Sequence, residues 1–164
     1  MIFQICGFLI LVVGFSTPYW RTIQFEYSEK SRSEVGLLIQ GFDEGLWRRC
    51  INSICAELDL AGRDWMQAVR FFTSIGVVSS LVGASALIVL TLVEKFASNR
   101  RLYLSSAISS FITTGCTFLS IMIYGAIVKE GIAWSFVMVT ISGAVHTISG
   151  LLMLISILSG RKEK

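Results

Sequence analysis

The chain has 164 residues, 54% of them hydrophobic and only 15% charged, with a net charge of +3; a soluble domain carries about a quarter charged residues. Of the 25 formal charges, 24 lie outside four apolar stretches, residues 1–16, 69–93, 102–128 and 134–158, and the exception, Arg70, stands at the edge of one. That partition excludes a soluble enzyme, a disordered chain and a nucleic-acid binder, because so small and divided a positive charge offers no surface for tracking phosphates.

The first stretch is the shortest. Sixteen residues rise about 24 Å as a helix, less than the roughly 30 Å of a bilayer core. Thr17 and Pro18 end it, since proline sits at or beyond helix boundaries. No Lys or Arg precedes Arg21, and Val13-Gly14-Phe15-Ser16 is a poor cleavage site. The stretch therefore reads as a retained first span, with a cleaved secretory signal as the alternative. The other three stretches are each long enough to span, which makes the chain a multi-pass membrane protein.

Between the first two spans lies a loop, 17–68, too long to be a structureless connection. Trp20–Tyr27 partly alternates, Val35–Gln40 is a short apolar run, and Gly45–Cys50 and Ile51–Cys55 are two further pieces joined around Asn52-Ser53. Such pieces predict a small antiparallel sheet. The shorter loop 94–101 carries Lys95, Arg100 and Arg101, and the tail 159–164 carries Arg161, Lys162 and Lys164. Basic residues in short loops mark the cytoplasmic side. Both termini are therefore expected in the cytoplasm, with the first loop and the short second outer loop, 129–133, outside the plasma membrane. Cys50 and Cys55, the only cysteines of the first loop, would then meet an oxidising compartment where a disulfide persists. Two free thiols are the alternative. Cys6 and Cys116, within spans, read as small packing residues.

Pro18-Tyr19-Trp20-Arg21, then Gly45-Leu46-Trp47 with Cys50, then Cys55, resembles the extracellular signature of the claudin superfamily. That group includes the peripheral myelin and epithelial membrane proteins and the AMPA-receptor regulatory proteins. Gln67-Ala68-Val69-Arg70 is similar to the opening of its second span. Gly131 to Phe136 and Ser149-Gly150-Leu151-Leu152 are similar to the opening and middle of its fourth, so the likeness covers the whole chain. The resemblance implies one domain: an all-α membrane protein, a four-transmembrane-helix bundle bearing a small extracellular antiparallel sheet formed mainly by the first outer loop. Trp20 and Trp47 suit anchoring that sheet at the membrane–water boundary. Gly45 can take backbone angles that other residues resist. Arg70, costly if unpaired in lipid, is expected to snorkel outward or to bond loop carbonyls, with a pore or ligand role as the alternative.

The chain departs from the claudin pattern in ways that bear on function. Only four residues separate Cys50 from Cys55, about half the usual number in claudins. The second outer loop is minimal, the tail Arg161-Lys162-Glu163-Lys164 lacks a PDZ-binding end, and the position after the second cysteine is the neutral Ala56, where pore-forming claudins often carry a charge.

Within the spans, Ser135, Ser142, Ser149 and Ser156 recur every seven residues beside Gly143 and Gly150. Gly76, Ser80 and Gly83 share a face of the second span, and Ser106, Ser109, Thr113, Thr117 and Ser120 form a strip on the third. Small residues let helices approach closely in lipid, so these are expected to form a bundle seam or a lateral contact with another membrane protein. His146, the single histidine, lies on the serine seam. It reads as a neutral, hydrogen-bonded interior group or as a pH-responsive switch.

No nucleophile–base arrangement, phosphate-cradling loop or metal-ligand cluster stands out, so neither an enzyme nor a cofactor or metal is expected. Asp43-Glu44 and Glu57-Leu58-Asp59 lack the alternating spacing of a Ca²⁺ loop and read as a solvated face. No Asn-x-Ser/Thr acceptor occurs. The expected partners are the lipid bilayer and an integral membrane protein, either a channel or receptor or other claudin-like chains, with the charged residues Glu26, Glu29, Lys30, Arg32 and Glu34 as an outer contact. An accessory subunit is the first expectation, and a cell–cell junction or adhesion protein is the alternative.

Overall fold

The computed structural model describes residues 2–24, 41–51, 54–93 and 100–159. In chain order it contains α1 (Ile2–Ser16), β1 (Arg21–Ile23), β2 (Phe42–Glu44), β3 (Arg48–Ile51), β4 (Ile54–Glu57), α2 (Asp64–Leu92), α3 (Arg100–Ile127) and α4 (Trp134–Ser159). Three of the helices, with 26 to 29 residues, are long and apolar enough to cross a membrane, while α1 has 15. A helix is the natural state of such runs in lipid, because it satisfies every backbone N–H and C=O within the segment.

The helices form a ring. α1 packs against α2 and α4, and α3 against α2 and α4, which leaves α1 and α3 on a diagonal. Many of the buried positions midway along the bundle are small or hydroxylated: Gly76, Ser80 and Gly83 on α2, Ser106, Ser109, Thr113, Thr117 and Ser120 on α3, and Ser135, Ser142, Gly143, Ser149 and Gly150 on α4. Large side chains such as Phe71, Val78, Phe118 and Leu151 face outward. Close backbone approach and hydrogen bonds hold the seam, the mode of packing that serves helices in lipid, where no hydrophobic drive acts between them. Ser106 donates to the carbonyl of Gly83 at 3.1 Å and Ser79 to that of Ser109 at 3.0 Å.

Ser156 departs from this pattern. It continues the seven-residue repeat of Ser135, Ser142 and Ser149, yet it is exposed while the other three are buried. A straight helix drifts about 20° per heptad against such a repeat. By the third interval the serine has turned out of the seam.

The sheet is antiparallel in the order β1-β2-β3-β4. Its register aligns three rows across all four strands: Arg21, Glu44, Arg49 and Ala56 nearer the bundle, Thr22, Asp43, Cys50 and Cys55 in the middle, and Ile23, Phe42, Ile51 and Ile54 at the far end. The strands are shorter than expected from the sequence. Trp20–Tyr27 contributes only Arg21–Ile23 among the described residues, and Val35–Gln40 lies outside them. The expected strand Gly45–Cys50 is divided, because Gly45 and Leu46 turn inward as buried residues between β2 and β3, where the amide of Gly45 donates to the carbonyl of Arg48 at 2.9 Å. The expected piece Ile51–Cys55 supplies the last residue of β3 and the first two of β4.

Although short, the 129–133 segment joins the sheet. Ile132 bridges Arg21, and the amide of Thr22 donates to the carbonyl of Gly131 at 2.7 Å. Gly131 has a φ of +74°, and a Cβ there would lie 2.5 Å from the carbonyl oxygen of Thr22, so both conformation and space call for glycine. One apolar core lies under the sheet, where Leu11, Trp20, Leu46, Met66, Val69, Tyr124 and Val139 meet. A smaller one, Leu87, Leu90, Ala107 and Met153, lies toward the opposite end.

Candidate functional site: a sheet locked onto the bundle

The last turn of a helix leaves carbonyls without intrahelical partners, and α1 uses tryptophans to satisfy two of them. The indole N–H of Trp20 donates to the carbonyl of Gly14 at 2.7 Å, and that of Trp47 to the carbonyl of Phe15 at 3.1 Å. Their settings differ. Trp47 is 39% exposed and meets Phe15 edge-on at 5.2 Å, as an interfacial anchor would. Trp20 is 0% exposed and packs edge-on against Tyr124 at 5.0 Å and Phe136 at 5.8 Å. The expectation of two boundary anchors is corrected for Trp20: it plugs the core between sheet and bundle. Tyr19 and Trp134, stacked at 5.3 Å and both exposed, take the position outside it.

Arg70 sits in the second turn of α2. Its Nε donates to the carbonyl of Leu46 at 2.5 Å, and its guanidinium lies 5.0 Å from the centre of the Trp47 ring. Leu46 itself is buried in the core under the sheet, and with Trp47 bonded to Phe15 the Gly45-Leu46-Trp47 bend is fastened to α1 and α2 at once. Gly45 serves this bend through space rather than through unusual backbone angles. Its φ is not positive, and a Cβ there would lie 2.5 Å from Cα of Pro18 and 2.7 Å from the carbonyl oxygen of Thr17. Cys50 and Cys55 face each other across β3 and β4 and form a disulfide, so neither is a free thiol.

A second feature of the sheet escaped the sequence reading. Glu44 is not part of a solvated face; it is 2% exposed. Its carboxylate accepts from Arg49 on the neighbouring strand and from Arg63, just ahead of α2, at 3.1 Å. Asp43 accepts from the hydroxyl of Thr22 at 2.7 Å. A buried carboxylate held by arginines from two segments joins the sheet to the start of α2. The sequence signal was present but weak: Arg49 lies five residues after Glu44, and the turn between them fixes their reach.

On the same face of the sheet as Glu44, an open pocket of about 600 Å³ is lined by Arg49, Ile51, Ile54, Ala56, Leu58 and Arg63, among others. Ile54 is 77% and Ile51 42% exposed, and all four residues of β4 are exposed. The charged group Glu26, Glu29, Lys30, Arg32 and Glu34 lies outside the described residues.

Deep in the bundle a polar layer connects all four helices. His146 pairs at Nε2 with the hydroxyl of Ser80 at 2.6 Å and donates from Nδ1 to the carbonyl of Ser142 at 2.9 Å. The carbonyl can only accept, which places a proton on Nδ1. Ser142 donates to the carbonyl of Gly7 at 2.8 Å. Gln4 of α1, fully buried, reaches across the diagonal: its Oε1 accepts from Ser110 at 2.9 Å and from Ser149 at 3.1 Å. Gln4 was the missed member of this layer. It is the one amide within an otherwise apolar first span, and the rule that marked His146 marks it too. Ser135 pairs with Thr17 at 2.7 Å, at the sheet end, and Gly150 packs against Phe111.

No protein-family model matches the chain, and no curated protein matches it either.

Proposed function

We propose that this chain is a non-enzymatic, claudin-like four-span protein of the plasma membrane, with cytoplasmic termini and an extracellular sheet. It acts as an accessory subunit of an ion channel, receptor or other membrane complex. The observation that carries this reading is the contrast between the two ends of the sheet. The end nearer the bundle is locked to it through Trp20, Leu46, Arg70 and Glu44, while Ile51, Ile54 and the edge strand β4 stand open beside the pocket. A rigid, partly apolar platform above outward-facing apolar helices suits a partner that has both an outer domain and membrane spans, since preorganised surfaces bind at lower ordering cost. His146 is fully buried in the polar layer and hydrogen-bonded there to serines and backbone rather than to a carboxylate.

A second reading, adhesion between cells, is favoured by the position of Ile51 and Ile54 at the end of the sheet farthest from the bundle. Purification from native tissue in mild detergent, followed by mass spectrometry of co-purifying chains, separates the two. A stoichiometric channel or receptor supports the accessory role. Recovery only as homopolymers concentrated at cell contacts refutes it in favour of adhesion.

A further inference from the structure

At the end of the bundle opposite the sheet, a groove of about 190 Å³ opens between α1, α3 and α4, lined by Phe3, Tyr103, Ser149, Leu152, Met153 and Ser156. Its chemistry changes along its length. Phe3, Leu152 and Met153 make an apolar wall, and Ser149 lies at its buried floor. Tyr103 and Ser156, each within a turn of a helix end, bring hydroxyls to its mouth, and neither hydroxyl has a hydrogen-bond partner among the described residues. Several buried hydroxyls of these helices bond back to a carbonyl one turn earlier, as Thr113 and Thr117 do. The hydroxyls at the mouth are uncommitted.

The mouth is also basic. Arg100, exposed, lies three residues before Tyr103 and so on the same side of α3. The segments 94–101 and 159–164, which follow α2 and end the chain after α4, carry six basic and two acidic residues. A groove that is apolar inside, hydroxylated at the mouth and positively charged beyond it matches the order of a phospholipid: acyl chain, ester and glycerol oxygens, then phosphate. Basic pockets between spans on the cytoplasmic side are suited to anionic headgroups.

We propose that this groove binds one anionic phospholipid, with an acyl chain along Phe3, Leu152 and Met153, its glycerol oxygens at Tyr103 and Ser156, and its phosphate at Arg100. The proposal rests on the chain spanning a bilayer, not on the accessory-subunit reading. It is tested by native mass spectrometry of the full chain, released from detergent containing equimolar phosphatidylglycerol and phosphatidylcholine. The wild type is expected to retain phosphatidylglycerol over phosphatidylcholine by about fivefold, the value of roughly one basic contact. Arg100→Gln removes that preference, and Ser156→Phe, which fills the groove, abolishes retention of both lipids. Arg48→Gln, at the sheet end, changes neither. Both groove positions are exposed, and unchanged thermal midpoints certify the folds. Equal retention of the two lipids, retention surviving Ser156→Phe, displacement by soluble glycerol 3-phosphate or by a sterol, or a protein dimer in place of the lipid adduct each overturns the proposal. Failure of the chain to float with liposomes overturns the membrane reading and this proposal with it, whereas flotation with equal retention overturns this proposal alone.

Discussion

At the scale of single residues, two side chains carry more than their neighbours, and each does so by satisfying groups that would otherwise be stranded. Trp20 fills the space under the sheet and supplies the donor for the Gly14 carbonyl, while Trp47 makes the equivalent bond at the rim. A Trp20→Phe exchange leaves both a cavity and an unpaired carbonyl in a buried site, and is expected to cost about 2–4 kcal/mol. The same exchange at Trp47, where solvent or headgroups can replace the lost donor, should cost under about 1 kcal/mol. Thermal unfolding of the two variants in one detergent measures the difference, and equal losses would contradict the distinction drawn between them. Glu44 is the second case. Glu44→Gln keeps the shape but removes the charge that Arg49 and Arg63 share. Both arginines are about one-third exposed, so the expected loss is moderate, about 1–2 kcal/mol. A Glu44→Gln variant as stable as the wild type would show that the arginines do not depend on it.

At the scale of elements, the short β3–β4 hairpin depends on its cross-link, because four strands of three or four residues enclose little core. In the chain-entropy model, so short a closed loop contributes about 2 kcal/mol. Cys50→Ser and Cys55→Ser are therefore expected to lower surface expression equally, and the double variant to be no worse than either single one. Clearly unequal singles would mean that the two cysteines act separately. The helices were legible from the chain alone, because charge is excluded from runs of fixed length; their observed ends differ from those expected by at most five residues, at the start of α2. The strands were less so. Gly45 and Leu46 have the composition of a strand, but tertiary packing against Pro18 and Arg70 draws them into a bend, and no local pattern records that contact.

For the whole molecule, the small-residue strips on α2, α3 and α4 were readable as a seam, since the periodicity of a helix places them on one face. What the sequence hid was pairing between distant elements. The diagonal bond from Gln4 to Ser110 joins residues 106 positions apart, and Asp43-Glu44 looks solvated until the sheet brings arginines to it. The partner-facing residues were the least legible. The charged group expected to form that contact lies outside the described residues, and the open surface that the structure presents is instead β4 with Ile51 and Ile54, a set with no distinctive composition. The account's central claim is that this uncovered edge and far end of the sheet meet another membrane protein. A photo-crosslinking amino acid placed at Ala56, on β4, and as a control at Val78, on the outward face of α2, tests it most directly in native cells. The account predicts a discrete adduct from position 56 with a different integral membrane chain, in the same stoichiometry as the purified complex. Only self-adducts from that position, or none, would contradict it.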